Sequence, residues 1–137
     1  MEEITYKAVP DILNLIHKTM PSIYYKARRN LSNEDTWKTR RMWGQRDENQ
    51  LLWKCCGISV ERDLEWLSYF AVLSTYRNNG EGKNMLDFLV GKMKTKTLYV
   101  ETYLKKGFED ANSFYLSQGF KLCGFFESDT VYYKLEI

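Results

Sequence analysis

The residues Arg77-Asn-Asn-Gly-Glu-Gly-Lys83 offer the most specific chemistry in this chain. They follow an apolar run, Leu64 to Thr75, that reads as a strand covered on both faces. They lead into a helical pattern whose stripe is Met85, Leu86, Leu89, Val90 and Met93. The first amides of a helix lack internal acceptors, and the helix dipole adds about half a positive charge there. Gly80 and Gly82 let the backbone approach an anion closely, so a phosphate or pyrophosphate suits this loop. A P-loop is excluded, because Arg77 stands at its first glycine and Asn84 at its Ser or Thr. A dinucleotide fingerprint is excluded too, because Met85 stands at its third glycine. Metal chemistry has no support: Cys55, Cys56 and Cys123 form no Cys-x-x-Cys, and His17 is the only histidine.

What does match is Arg-x-x-Gly-x-Gly directly after a strand ending in Ala71-Val72, which resembles the GNAT superfamily of N-acetyltransferases. A second match follows at the expected distance. Ala111-Asn-Ser-Phe-Tyr115-Leu-Ser-Gln-Gly119-Phe120 is similar to that family's Ala-x-x-(Phe/Leu)-Tyr-x-x-x-Gly-Phe helix and strand entry. The likeness spans Leu64 to Phe126. It implies a fold of the α/β (α+β) class: a mixed, mostly antiparallel sheet of about six to seven strands, splayed at one parallel pair and flanked by about four helices. It also implies one acyltransferase domain over residues 1–137 and acetyl-coenzyme A as co-substrate. The pyrophosphate is then expected on Arg77, Asn78, Asn79, Gly80, Glu81, Gly82 and Lys83. The pantetheine arm and thioester are expected along the backbone of Phe70, Ala71 and Val72, and Asn112 joins the coenzyme contacts. Two positions depart from the family. Glu81 replaces an apolar residue, and Lys83 and Arg77 are expected to offset its charge. Phe108 replaces an asparagine that touches the coenzyme in many relatives.

Acetyl transfer to an amine needs a neutral nitrogen, a polarised thioester carbonyl and help for the departing thiolate. The resemblance puts Tyr115 beside the sulfur and the Val72 amide at the carbonyl oxygen. A thiol near 8.5 and a phenol near 10 differ by about 1.5 units, so full proton transfer is uphill by about 2 kcal/mol. Tyr115 is therefore expected to donate a hydrogen bond to the thiolate. Glu101, in Leu98-Tyr-Val-Glu-Thr102, resembles the glutamate of the amino-terminal ribosomal-protein acetyltransferases and is the first candidate base. Glu65 is the second, although simple alternation sets it on the opposite strand face from Val72. An α-amine needs only about 1 kcal/mol to lose its proton at pH 7, whereas a lysine needs about 4.6.

The elements that must position these groups are legible to different degrees. Ile4 to Ala8 reads as a short strand, and Pro10-Asp11 opens a helix with Ile12, Leu13, Ile16 and Met20 on one face, closed by Pro21. Ser32 and Asp35 form a capping pair for a second short helix carrying Trp37, Arg40 and Arg41. Leu51–Val60, Leu64–Thr75 and Leu98–Thr102 read as strands. Glu109–Gln118 is a helix ended by Gly119, and Phe120–Phe126 with Val131–Ile137 is a hairpin about Glu127-Ser-Asp-Thr130. This order implies a mixed sheet with one crossover.

Composition bounds the rest. The 137 residues carry 20 Lys+Arg against 18 Asp+Glu, and 15% of them are aromatic, which excludes disorder and gives no case for a dedicated DNA-binding protein. The longest uncharged run, Trp66 to Tyr76, is eleven residues, short of the roughly 20 that span a bilayer. A reducing cytoplasm is the expected setting, and a monomer or homodimer the expected state. The acceptor is expected to be an amine of a small molecule or a peptide, in a pocket that Tyr24, Tyr25, Trp37, Trp43 and Trp53 could line. Three alternatives stand beside this: a module that binds acetyl-CoA without turnover, an enzyme acetylating aminoacyl-tRNA, as toxin-like relatives do, and a purely structural or interaction protein. The tRNA reading draws on seven basic residues, facing only Glu34 and Asp35, between positions 26 and 46.

Overall fold

In a computed structural model that describes residues 1–127 and 129–137, the chain runs β1 (Glu2–Ile4), α1 (Val9–Thr19), α2 (Tyr24–Leu31), β2 (Arg40–Arg46), β3 (Leu52–Glu61), β4 (Leu64–Val72), α3 (Glu81–Val90), β5 (Thr97–Tyr103), α4 (Glu109–Ser117), β6 (Lys121–Phe126) and β7 (Thr130–Glu136). The strands form one seven-stranded sheet in the order β1-β2-β3-β4-β5-β7-β6. All neighbours are antiparallel except β4 and β5, which α3 connects as a parallel pair. The mixed, mostly antiparallel architecture is the one anticipated. Of the expected turn at Glu127–Thr130, Ser128 lies outside the described residues.

Helices cover both faces, and that explains the sequence of β3. Leu52 and Cys55 pack with Ile12, Ile16 and Leu31 on the face of α1 and α2, while Trp53, Cys56 and Ile58 pack with Met85, Leu86 and Leu89 on the face of α3. A strand buried on both sides needs apolar residues at odd and even positions alike.

Two features open the middle of the sheet. The parallel pair is joined only through Glu65–Leu98 and Trp66–Tyr99, so β4 beyond Trp66 has no strand beside it on that edge. In β4 itself, Ser68 pairs with Gly57 and Ala71 with Cys55, which leaves Tyr69 and Phe70 opposite Cys56 alone. This is a β-bulge, and Tyr69 takes a left-handed φ of 50° within it. Leu67 and Val72, five residues apart, consequently face the same α3-side core, while Ala71 faces the other.

The front half differs from expectation in two places. The strand ends at Ile4, which pairs with Met42, and Tyr6–Ala8 form a 3-10 turn leading into α1. Five alternating residues cannot by themselves separate a strand from the approach to a helix whose first turn holds Pro10. The expected second helix is a 3-10 turn, Glu34–Thr39, capped by Asn33 rather than Ser32 through an Asp35 amide bond of 3.2 Å. Ser32 instead ends α2, which buries Ala27 and Leu31 one turn apart. Arg40 and Arg41 leave the turn as strand because Met42 and Trp43 are claimed by opposite faces of the sheet.

Candidate active site

The glycine loop sits at the end of β4. Tyr76 and Arg77 donate their amides to Leu73 and Ser74 carbonyls, and the next bond is Asn84 N to Gly80 O at 3.0 Å. Among the described residues, the amides of residues 78 to 83 have no protein acceptor. Asn78 and Gly80 adopt left-handed φ values of 67° and 77°, which turn the chain sharply before α3 begins. A Cβ built on Gly80 meets nothing within 4 Å, so this position faces open space. Gly82 serves a different purpose: its Cβ would lie 3.0 Å from the Phe114 ring, so the glycine lets α3 and α4 approach.

The carboxylate of Glu81 does not plug this cradle. It is drawn to Lys54 Nζ at 2.7 Å, a nearly buried ammonium on β3 that also lies 4.8 Å from the Trp53 ring centroid. The expected compensation by Lys83 and Arg77 is therefore corrected. Lys83 pairs with Asp87 at 2.9 Å, one turn along α3, and Arg77 Nε donates to the Val72 carbonyl at 3.0 Å. Strand and loop residues 27 positions apart are joined by the sheet, a contact that no local pattern encodes.

The gap between β4 and β5 opens into a cavity of about 310 Å³, connected to the loop through Phe70, which stacks on the Phe114 ring that packs at Gly82. Phe70, Tyr115 and Phe108 line it, as do Trp66, Tyr69 and Tyr103. Phe70 stacks on Phe114 with centroids 5.6 Å apart, which ties the β4 bulge to α4. Tyr115 is 7% exposed, and its hydroxyl has no protein partner among the described residues. Burial raises its pKa above the ordinary phenol range, so the hydroxyl keeps its proton at any physiological pH. Glu101 lines the same cavity from β5 and makes no hydrogen bond or ion pair with a described residue.

Glu65 lies elsewhere. Its carboxylate accepts from the amides of Lys94 and Thr95 and from the Thr95 hydroxyl, at 2.6 to 3.2 Å. Burial opposes its ionisation, but the Thr95 and Lys94 hydrogen bonds outweigh this and hold its pKa below the usual carboxylate range. The bulge also overturns the alternation argument: Leu67, in phase with Glu65, shares a face with Val72. Asn112 departs from expectation too. Both of its amide protons are used, on the carbonyls of Tyr103 and Phe108 at 2.8 Å each, so it has none to donate to a coenzyme. Phe108 is 7% exposed and forms cavity wall.

Of the aromatic residues considered for the pocket, Trp43 and Trp53 are core, packed on Phe88 and Tyr76. Tyr24 packs on His17, Trp37 on Tyr6, and Tyr25 is exposed. The cavity at the β4–β5 gap is lined instead from β4, β5, α2 and α4, and the Ile23-Ala27-Leu31 spacing was the signal for α2. The basic run is likewise dispersed. Arg41 faces Glu3, Arg46 pairs with Asp11, Lys38 with Asp35, and Arg40 is buried. Cys55 and Cys56 are buried on opposite faces, and among the described residues no three metal-ligating side chains converge. Among the described residues, no helix is long and apolar enough to cross a membrane.

Comparison with known proteins agrees with this geometry. None of the curated proteins matches the chain. Among solved structures, a GNAT-family acetyltransferase from Desulfovibrio desulfuricans superposes with a TM-score of 0.80 at 14% identity, over 95% of this chain and 92% of its own. An acetyltransferase from Thermus thermophilus gives 0.78 at 17% identity, over 99% and 95%. The PaiA N-acetyltransferase of Thermoplasma acidophilum, solved in complex with coenzyme A, gives 0.77 at 13% identity over 100% of both chains. At such identities the likeness is one of fold. The sequence model of the acetyltransferase (GNAT) domain matches residues 38–122, and with β4, the glycine loop and Tyr115 all inside that span, the chain belongs to the GNAT acetyltransferase family.

Proposed function

We propose that this protein transfers the acetyl group of acetyl-CoA to a primary amine by direct attack. The observation that carries the reading is the run of amides at residues 78 to 83 that lack a protein acceptor among the described residues, at the end of the strand whose bulge lines the cavity at the β4–β5 gap. Their partial positive charges suit a pyrophosphate, and the ion pair with Lys54 keeps the Glu81 carboxylate from opposing it. Among the described residues the terminal guanidinium nitrogens of Arg77 have no partner, which suits them to phosphate oxygens.

The substrate amine first loses a proton to Glu101, directly or through water. Its lone pair attacks the thioester carbon, and the N–C bond forms while the carbonyl oxygen gathers charge near the Val72 amide. The C–S bond then breaks, the second amine proton leaves to solvent, and coenzyme A departs as thiolate. Tyr115 donates a hydrogen bond to that sulfur. Its raised pKa makes full proton transfer to the thiolate still less favourable than in water, so the proton that yields free thiol comes from solvent. No cysteine is needed, and no acyl-enzyme forms.

The test has two stages. Acetyl-CoA at 100 times its dissociation constant raises stability by about 2.7 kcal/mol, visible as a thermal shift. Free-thiol release is then followed across α-amines, lysine peptides, polyamines and aminoglycosides. A shift without thiol release from any amine identifies a binding module, and no shift at all defeats the reading.

A further inference from the structure

The cavity wall on the α2 side carries charges that the mechanism does not use. Arg40, at the start of β2, is 8% exposed. Its terminal nitrogens donate only to neutral oxygens, Thr36 Oγ1 at 3.1 Å and Asn30 Oδ1 at 2.9 Å, and its Nε is buried without a partner. The guanidinium lies against the Tyr69 and Trp37 rings, 5.3 and 5.8 Å from their centroids. Lys26 lines the same cavity, and its ammonium donates to the Tyr103 hydroxyl at 3.0 Å. Among the described residues, neither cation has a carboxylate within 4.0 Å, and neither Glu61 nor Glu101, the two acids of the lining, has a cation that close.

A buried guanidinium without an acid partner within 4.0 Å is expensive to maintain, and the two neutral hydrogen bonds and two ring contacts of Arg40 offset only part of that cost. Its planar fork matches a carboxylate in two parallel hydrogen bonds. The cavity of about 310 Å³ is at the small end of ligand pockets, which excludes bulky acceptors from its interior. A polyamine or aminoglycoside would add cations beside Lys26 and Arg40, whereas a zwitterion brings a carboxylate for these cations together with an amine for the acids Glu61 and Glu101. Those acids lie near enough to act on Arg40 and Lys26 without pairing with them.

Resting on the acetyltransferase reading above, we infer that the acceptor is a small amine that also bears a carboxylate, an amino-acid-class molecule. Its amine meets Glu101, and its carboxylate docks on Arg40 with support from Lys26. Arg40 is thus a specificity-determining residue, and the β4 bulge at Tyr69 holds the stacking ring that orients it.

The decisive comparison uses the unaltered enzyme with acetyl-CoA and a panel of L-amino acids, each beside its carboxamide and its decarboxylated amine. The best amino acid is expected to exceed both analogues by about 10- to 100-fold in kcat/KM. Calorimetry on the coenzyme A-loaded protein is expected to detect that amino acid and not its amide, a readout independent of turnover. Arg40→Gln should bring the acid-to-amide ratio close to one, with Arg40→Lys keeping part of it. If Arg40→Gln does not fold, Lys26→Gln, at an exposed position, should still narrow the ratio. Amides, amines or phosphate-bearing amines used as well as the acids, with coenzyme binding intact, would overturn this assignment and leave acetyl transfer standing. Absence of coenzyme binding would remove both.

Discussion

Lys54 Nζ and Glu81 Oε2 meet at 2.7 Å across the boundary between the sheet and the first residue of α3. The contact pairs the acidic residue of the glycine loop with a strand lysine, and among the described residues the amides of residues 78 to 83 stay without a protein acceptor. It also anchors the glycine loop to β3, next to the Leu73 amide bond to Trp53 at 2.9 Å.

Lys54→Met therefore has a two-part consequence. Stability falls by about 1–2 kcal/mol, because Glu81 is partly exposed and can turn to water. Coenzyme A binding weakens about 10-fold or more, since an unpaired carboxylate now faces the phosphates. Adding Glu81→Gln should restore most of the affinity. Calorimetric titration of both variants checks this, and a double variant as weak as the single one would break the link.

Tyr115→Phe is expected to slow turnover by about 10²- to 10⁴-fold with coenzyme A affinity unchanged. Because burial raises the Tyr115 pKa, the native hydroxyl does not ionise between pH 8 and the ordinary phenol pKa of about 10. The pH–rate profile should accordingly show no alkaline fall over that interval that disappears in the phenylalanine variant.

The two glutamates separate cleanly. Glu65→Gln weakens the hydrogen bonds that Lys94 and Thr95 give to a carboxylate, and lowers stability at pH 7 by about 1–3 kcal/mol with kcat unaltered. Its native pKa is depressed, so this contribution is present above the unfolded value of about 4.3 and is lost as pH falls through the folded one. Glu101→Gln should do the reverse, slowing turnover at low pH most and sparing the melting temperature. Denaturation and kinetics on the same preparations decide the matter.

The adjacent thiols predict an alkaline limit to stability. Burial raises the Cys55 thiol above its ordinary range and pushes Cys56 up to about 12 despite the Lys54 ammonium nearby. Unfolded thiols release their protons near pH 8.5 while the native ones retain them, so stability is intact below that pH and falls above it. Each thiol contributes a slope of about 1.4 kcal/mol per pH unit once the unfolded form is ionised. Urea unfolding between pH 8 and 10 should show this slope, and Cys56→Ala should reduce it by about half.

The elements of the glycine loop and of α4 were legible in the sequence because their signals are local. Gly80, Gly82 and the Met85-Leu86-Leu89 stripe mark a loop entering a helix through backbone conformation and period alone. Tyr115 and Gly119 lie on one helix and its left-handed terminus, again within a single turn of information. What only the tertiary structure decided depends on pairing between distant segments. The bulge at Tyr69 shifts the phase of β4, so alternation misjudged the face of Glu65, and nothing in the types of residues 64 to 72 encodes a register set by β3. Lys54 became the partner of Glu81, and Arg40 a buried cation on the cavity wall, because the sheet brings together chain segments whose separation no short-range pattern spans. Local propensity and period write the elements; the free energy of burying both faces of one sheet selects which side chains meet at its open seam.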